Sequence, residues 1–136
     1  MNEQFNAYLP ELTQIKQLKI ISTLTAPIIV VVDNDPIIAD TLRFMAKKNN
    51  HVVIYTAASK LFSELKQYNG DTFFFIDYEL DADKNGLEIL QELHALGYNN
   101  LYVMSGHHFE NGSIPDYLNI LSDKKDILNF FNKKTL

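Results

Sequence analysis

Six polar residues able to do chemistry sit just past short apolar runs in this sequence. Asp33, Asn34 and Asp35 follow the run at 28–32, Asp77 follows 72–76, Ser105 follows 101–104, and Lys124 comes soon after 117–121. Carboxylates gathered in one place repel one another and resist ionisation. A hard divalent cation relieves that repulsion, and oxygen ligands without His or Cys point to Mg²⁺. A carboxylate beside bound Mg²⁺ can act as a nucleophile toward phosphorus. Metal, hydroxyl and ammonium can then hold the three phosphoryl oxygens as charge is redistributed. Nucleophile, metal ligands, hydroxyl donor and fixed cation are all available here in type.

Such residues meet only if the elements that carry them converge. The apolar runs at 28–32, 52–55, 72–76, 101–104 and 117–121 are rich in β-branched and aromatic residues and read as buried strands. Between them lie stretches of helical period: Ile38, Leu42 and Met45 fall at i, i+4 and i+7, as do Leu61, Leu65 and Tyr68. Asp35-Pro36 starts the first helix, Ser59 can cap the second, and the third runs from about Gly86 to a stop at Gly97. Gly112, Ser113 and Pro115 leave room only for a short or broken fourth helix. Strands alternating with helices predict an α/β fold, a doubly wound five-stranded parallel sheet with helices on both faces. Ligands of such sheets bind beyond the carboxyl ends of the strands, at the topological switch point. All the residues singled out above would lie on that edge.

Composition limits the alternatives. At 136 residues the chain is the length of one domain, and 46% hydrophobic with 21% charged residues is a globular balance. A net charge of −5 and no basic stripe argue against direct nucleic-acid binding. The longest apolar run, from Ala26 to Val32, is far short of the roughly 20 residues that cross a bilayer. With no signal-like N-terminus and no cysteine, the expectation is a cytoplasmic domain without membrane contact.

Residues 27–131, roughly three quarters of the chain, resemble a response-regulator receiver domain, which is flavodoxin-like in fold. The resemblance rests on Val-Val-Asp-Asn-Asp-Pro (31–36), Phe-Ile-Asp-Tyr-Glu-Leu (75–80), Asn-Gly-Leu-Glu-Ile-Leu (85–90), Met-Ser-Gly (104–106) and Lys124. Each motif is weak alone; their joint order and spacing is specific. The resemblance implies that Asp77 is the phosphoacceptor, with Asp33 and Asn34 at the acidic-pair positions and the Glu79 backbone carbonyl as a further Mg²⁺ ligand. It also implies that Ser105 contacts the phosphoryl group and that Lys124 pairs with it. The partner would be a histidine kinase or a histidine phosphotransfer protein.

Several positions depart from the family pattern. Asn34 replaces a second acid, and an amide oxygen binds Mg²⁺ less strongly than a carboxylate. The loop from Asp77 to Gly86 is one residue longer than usual. Lys125 replaces the proline that usually follows the lysine, which makes it a rival to Lys124. Leu121 stands where an aromatic switch residue often sits. Other polar residues have plainer readings: Asp35 as a helix cap, Asp81 and Asp83 as turn acids, and His51, His94, His107 and His108 as solvated. The pairs Lys47-Lys48 and Lys133-Lys134 read as solvated helix ends, and Phe73-Phe74-Phe75 as strand core.

Residues 1–26 read as an extension or linker before a receiver at 27–136. Phe5-Asn6-Ala7-Tyr8-Leu9-Pro10 is similar to the end of a histidine-kinase ATP-binding domain, which would make the chain the C-terminal receiver of a hybrid sensor kinase. A free-standing regulator starting at Met1 is the rival. Two other functions compete with phosphoryl acceptance on Asp77. One is a degenerate receiver acting as an interaction scaffold. The other is a haloacid-dehalogenase-type phosphohydrolase using Asp33, since Asp33-Asn34-Asp35 resembles that family's nucleophile motif.

Overall fold

The computed structural model describes residues 27–80, 84–106, 109–110 and 112–131. The expectations for residues 1–26, Asp81, Asp83, His107, His108 and the Lys133-Lys134 pair lie outside these. Along the chain run β1 (Ile29–Val32), α1 (Pro36–Met45), β2 (Val52–Tyr55), α2 (Ala58–Ser63), β3 (Phe73–Asp77), α3 (Gly86–Ala95), β4 (Asn100–Met104), β5 (Leu118–Leu121) and α4 (Leu128–Phe131). Short 3₁₀ turns follow α2 (Leu65–Gln67) and precede α4 (Lys124–Ile127).

All five strands pair in parallel, in the order β2-β1-β3-β4-β5. Central strands of a parallel sheet are covered on both faces, and β1 is buried at every position, which explains its unbroken Ile-Val-Val-Val run. Alternate residues supply two cores. Val30, Val32, Phe74, Ile76, Leu101 and Val103 pack with Leu61 of α2 and with Ile89, Leu90 and Leu93 of α3. Ile29, Val31, Phe75, Met104 and Leu121 pack with Leu42 of α1 and with Ile127 and Phe131 at the C-terminal end. Phe74 and Phe75 are both fully buried, as strand core requires.

Two local details differ from the sequence reading. The second helix stops at Ser63, and Ser59 lies inside it; the N-cap is Ala57, which makes no side-chain cap bond. Leu65 and Tyr68 still reach the core, but through the 3₁₀ turn and an extended Tyr68. The freed carbonyls there find a donor in the Tyr98 hydroxyl, 2.8 Å from the Tyr68 oxygen. His94 belongs to α3, and its half-buried ring stacks on Tyr117 at 3.7 Å rather than standing in solvent. His51 is likewise half-buried, beside the start of β2. Between β4 and β5 no helix forms among the described residues, and Gly112 takes a left-handed φ of +83° that interrupts any helical run there.

The start of α3 is pressed against the end of β3. Gly86 donates its amide to the Tyr78 carbonyl at 2.7 Å, and a Cβ at this position would collide with the Asp77 backbone carbonyl. Asn85 caps the helix in a reciprocal box with Glu88. Gly86→Ala should therefore destabilise the fold by about 1–3 kcal/mol, read as a lower urea midpoint at unchanged slope. Gly70→Ala, made where a Cβ meets only open space, should shift stability by less than about 0.5 kcal/mol in the same measurement.

Candidate functional site

The site is assembled by strand register. Val32 of β1 lies opposite Ile76 of β3, so Asp33 and Asp77 emerge side by side at the carboxyl edge of the sheet. The direction in which strands are added reverses between these two: β2 lies on one side of β1, while β3, β4 and β5 follow on the other. This is the switch point at which doubly wound sheets bind ligands. Met104 pairs with both Asp77 and Leu121, which brings Ser105 to the same edge and lets the turn after β5 deliver Lys124.

The two acids are held differently. Asp33 is 0% exposed. Its Oδ1 accepts the Asp35 amide at 3.0 Å, and its Oδ2 accepts the Lys124 ammonium at 2.6 Å. Asp77 is 7% exposed and lines an open cleft of about 720 Å³. Its Oδ1 lies 3.4 Å from the Lys124 nitrogen. Burial first, and then the charge of Asp33, push the Asp77 carboxyl above the usual carboxylate range, against the opposing pull of Lys124. For Lys124, burial draws the ammonium down, but its bonds to Asp33 and Asp77 outweigh that and leave it raised. The ammonium thus stays charged between two carboxylates.

The other expected residues are sorted as clearly. Lys125 points outward, is strongly exposed and lies 3.8 Å from Asp123, so Lys124 alone of the two lysines enters the site. Asp35 caps α1 by accepting the Ile37 amide at 2.9 Å, as its sequence context predicted. Ser105 is buried, donates its amide to the Leu121 carbonyl at 3.1 Å and lines the cleft. Glu79 is exposed and also lines the cleft. Asn34 is at the cleft too, but its side-chain amide donates to the Leu80 carbonyl. Leu121, at the switch position, is buried in the core beside Met104 and Ile127.

Sequence reasoning gave no role to two residues and missed the bonding direction of a third. Asn85 lines the cleft and caps α3; an Asn followed three residues later by Glu is a readable capping-box signal. Tyr78 sets its ring edge-on to Phe109 from the β4–β5 connection, with centroids 5.3 Å apart. No spacing rule in the sequence pointed to that contact. The donor role of Asn34 was legible only in the chemistry of an amide, which can give a hydrogen bond where an acid cannot.

The donors at the site are hard oxygens, which suit a cation such as Mg²⁺. Among the described residues no three His, Cys, Asp or Glu side chains cluster as a metal cage. A cation in the cleft would use Asp77, backbone oxygen and its own water, a sharing that Mg²⁺ tolerates well, whereas both oxygens of the buried Asp33 already accept from the Asp35 amide and Lys124.

The raised Asp77 carboxyl carries a linkage sign. The folded state holds this proton more tightly than the unfolded chain, so ionising Asp77 costs stability as pH rises through the ordinary carboxylate range and beyond. Asp77→Asn should therefore be more stable than the parent at pH 7. That advantage should shrink as pH falls and vanish below the ordinary aspartate pKa of about 3.9, as thermal or urea melts across pH would show.

No protein-family model and no curated protein sequence matches the chain. Its fold does match solved structures. A response regulator receiver domain protein from Clostridium thermocellum superposes with a TM-score of 0.57 at 15% identity, over 78% of this chain and 91% of that one. A sensor protein from Polaromonas sp. JS666 gives a TM-score of 0.54 at 16% identity, over 77% of this chain and 92% of that one. Strand order, switch point and these superpositions agree: the chain has the flavodoxin-like fold of a response-regulator receiver.

Proposed function

We propose that this chain is a two-component signalling receiver that accepts a phosphoryl group on Asp77 from the phosphohistidine of a histidine kinase or histidine phosphotransfer protein. One observation carries the proposal. Asp77 opens into the cleft, while its neighbour Asp33 is sealed beneath the Lys124 ammonium. The same observation weighs against a phosphohydrolase using Asp33, which has no exposed surface for attack.

In the proposed step an Asp77 carboxylate oxygen attacks phosphorus, the phosphorus–nitrogen bond of the donor breaks, and the electron pair returns to the imidazole. The product is an acyl phosphate on Asp77. Lys124 sits 3.4 Å from the attacking group and can pair with a phosphoryl oxygen while keeping its bond to Asp33. The Ser105 hydroxyl would hold a second oxygen. Asp77 and the Glu79 carbonyl would hold Mg²⁺, which when bound offsets phosphoryl charge during transfer. The missing second acid at Asn34 favours one rival, a receiver-like scaffold that is never phosphorylated.

Incubation with Mg²⁺ and acetyl phosphate should add the mass of one phosphoryl group, and Asp77→Asn should remove that gain. Lys124→Met should slow labelling by on the order of a hundredfold. No labelling of the parent protein, with no amide shifts on adding beryllofluoride, would instead support the scaffold. Labelling that survives Asp77→Asn would move the acceptor elsewhere.

A further inference from the structure

Position 34 does something that an acid in its place could not. The Asn34 side-chain amide donates to the Leu80 carbonyl, joining the residue after Asp33 to the loop after β3 across 46 positions of sequence. The assignment of the amide is fixed by its partner: a carbonyl only accepts, so the nitrogen must face it. A carboxylate at 34 would set oxygen against oxygen. Leu80 is buried and directly follows Glu79, which lines the cleft.

The far end of this loop is fastened independently. Gly86 donates to the Tyr78 carbonyl, and the Asn85–Glu88 box closes the helix start. Asn34 therefore supplies the fastening on the β1 side, next to the backbone that faces the cleft. We propose that Asn34 is a positioning residue: its amide clamps the Glu79–Leu80 backbone at the mouth of the site, in place of contributing negative charge there. Asn34 and Lys124 thus divide the work between them. Lys124 compensates the buried acids, and Asn34 fixes the loop that would present the Glu79 carbonyl to a cation. The consequence for cation binding rests on the receiver reading above; the clamp itself does not.

The test uses the full chain with Asn34→Asp and Asn34→Ala, and two measurements. In metal-free protein, the amides of Glu79 and Leu80 should exchange with deuterium about fivefold faster in both variants, while the independently fastened Gly86 amide keeps its rate. The Val30 and Val103 amides should keep their parent rates, showing that the fold is intact. In the parent, a through-hydrogen-bond coupling between the Asn34 amide nitrogen and the Leu80 carbonyl carbon should be detectable by NMR. Then Mg²⁺ is titrated against amide shifts, and Asn34→Ala should bind about fivefold more weakly than the parent. Unchanged loop exchange in both variants overturns the clamp. Weaker Mg²⁺ binding by Asn34→Ala without faster loop exchange also overturns it, making Asn34 a direct ligand. Faster loop exchange with no Mg²⁺ binding by any form supports the clamp and refutes the cation-dependent reading instead.

Discussion

Pairing β1 with β3 sets two aspartates side by side at the edge of a buried sheet, and the fold depends on how that charge is met. Asp33 has no access to solvent and would be held there as an anion at great cost without a partner. Lys124 meets it at 2.6 Å from the far side of the sheet, reached through β5 and the turn that follows. Removing Lys124 would leave the charge of the fully buried Asp33 without its partner, so this contact fastens the C-terminal turn to the first strand. Burial above all, and then the charge of Asp33, keep the Asp77 carboxyl raised, and the more distant ammonium only partly offsets them. Asp33 and Asp77 are thus set apart by their distance from the ammonium, 2.6 Å against 3.4 Å, and by exposure, since only Asp77 lines the cleft.

Everything else at the edge follows from keeping those groups close. The Asp77 carbonyl leaves no room for a side chain at Gly86, so α3 begins as near to the strand end as backbone permits. Asn34, Asn85 and Asp35 spend their polar atoms on loop and helix ends around the cleft, not on one another. Such local bonds satisfy the orphan groups of α1 and α3, where two helices start beside the same opening.

Much of this was legible in the sequence because burial leaves strong marks. A strand covered on both faces must be apolar throughout, and 28–32 and 72–76 are; a polar residue after such a run marks the edge. The position of Asp77 and Lys124 followed from that logic together with the receiver resemblance. What escaped was decided by tertiary contact. Lys124 and Lys125 are identical in type, and only the direction of the turn after β5 selects between them. The helical period of Leu61, Leu65 and Tyr68 was real as a core pattern, yet the chain meets it by tightening into a 3₁₀ turn that Tyr98 stabilises. His94 looked solvated because no sequence rule ties it to Tyr117, 23 positions away on the next connection. Asn34 fell on the expected acidic-pair position, but its hydrogen-bonding direction depends on where the Leu80 carbonyl lies.

The same contacts bear on how a change at Asp77 would be felt elsewhere. Leu121 is packed into the core with Met104, Ile127 and Phe131. The β4–β5 connection instead touches the site through Phe109, which meets the ring of Tyr78, the residue after Asp77. Tyr78 also joins the sheet edge by donating its amide to Met104, next to Ser105, and it accepts the Gly86 amide that opens α3. Tyr78 is thus the residue at which the end of β3, the start of α3 and the β4–β5 connection touch.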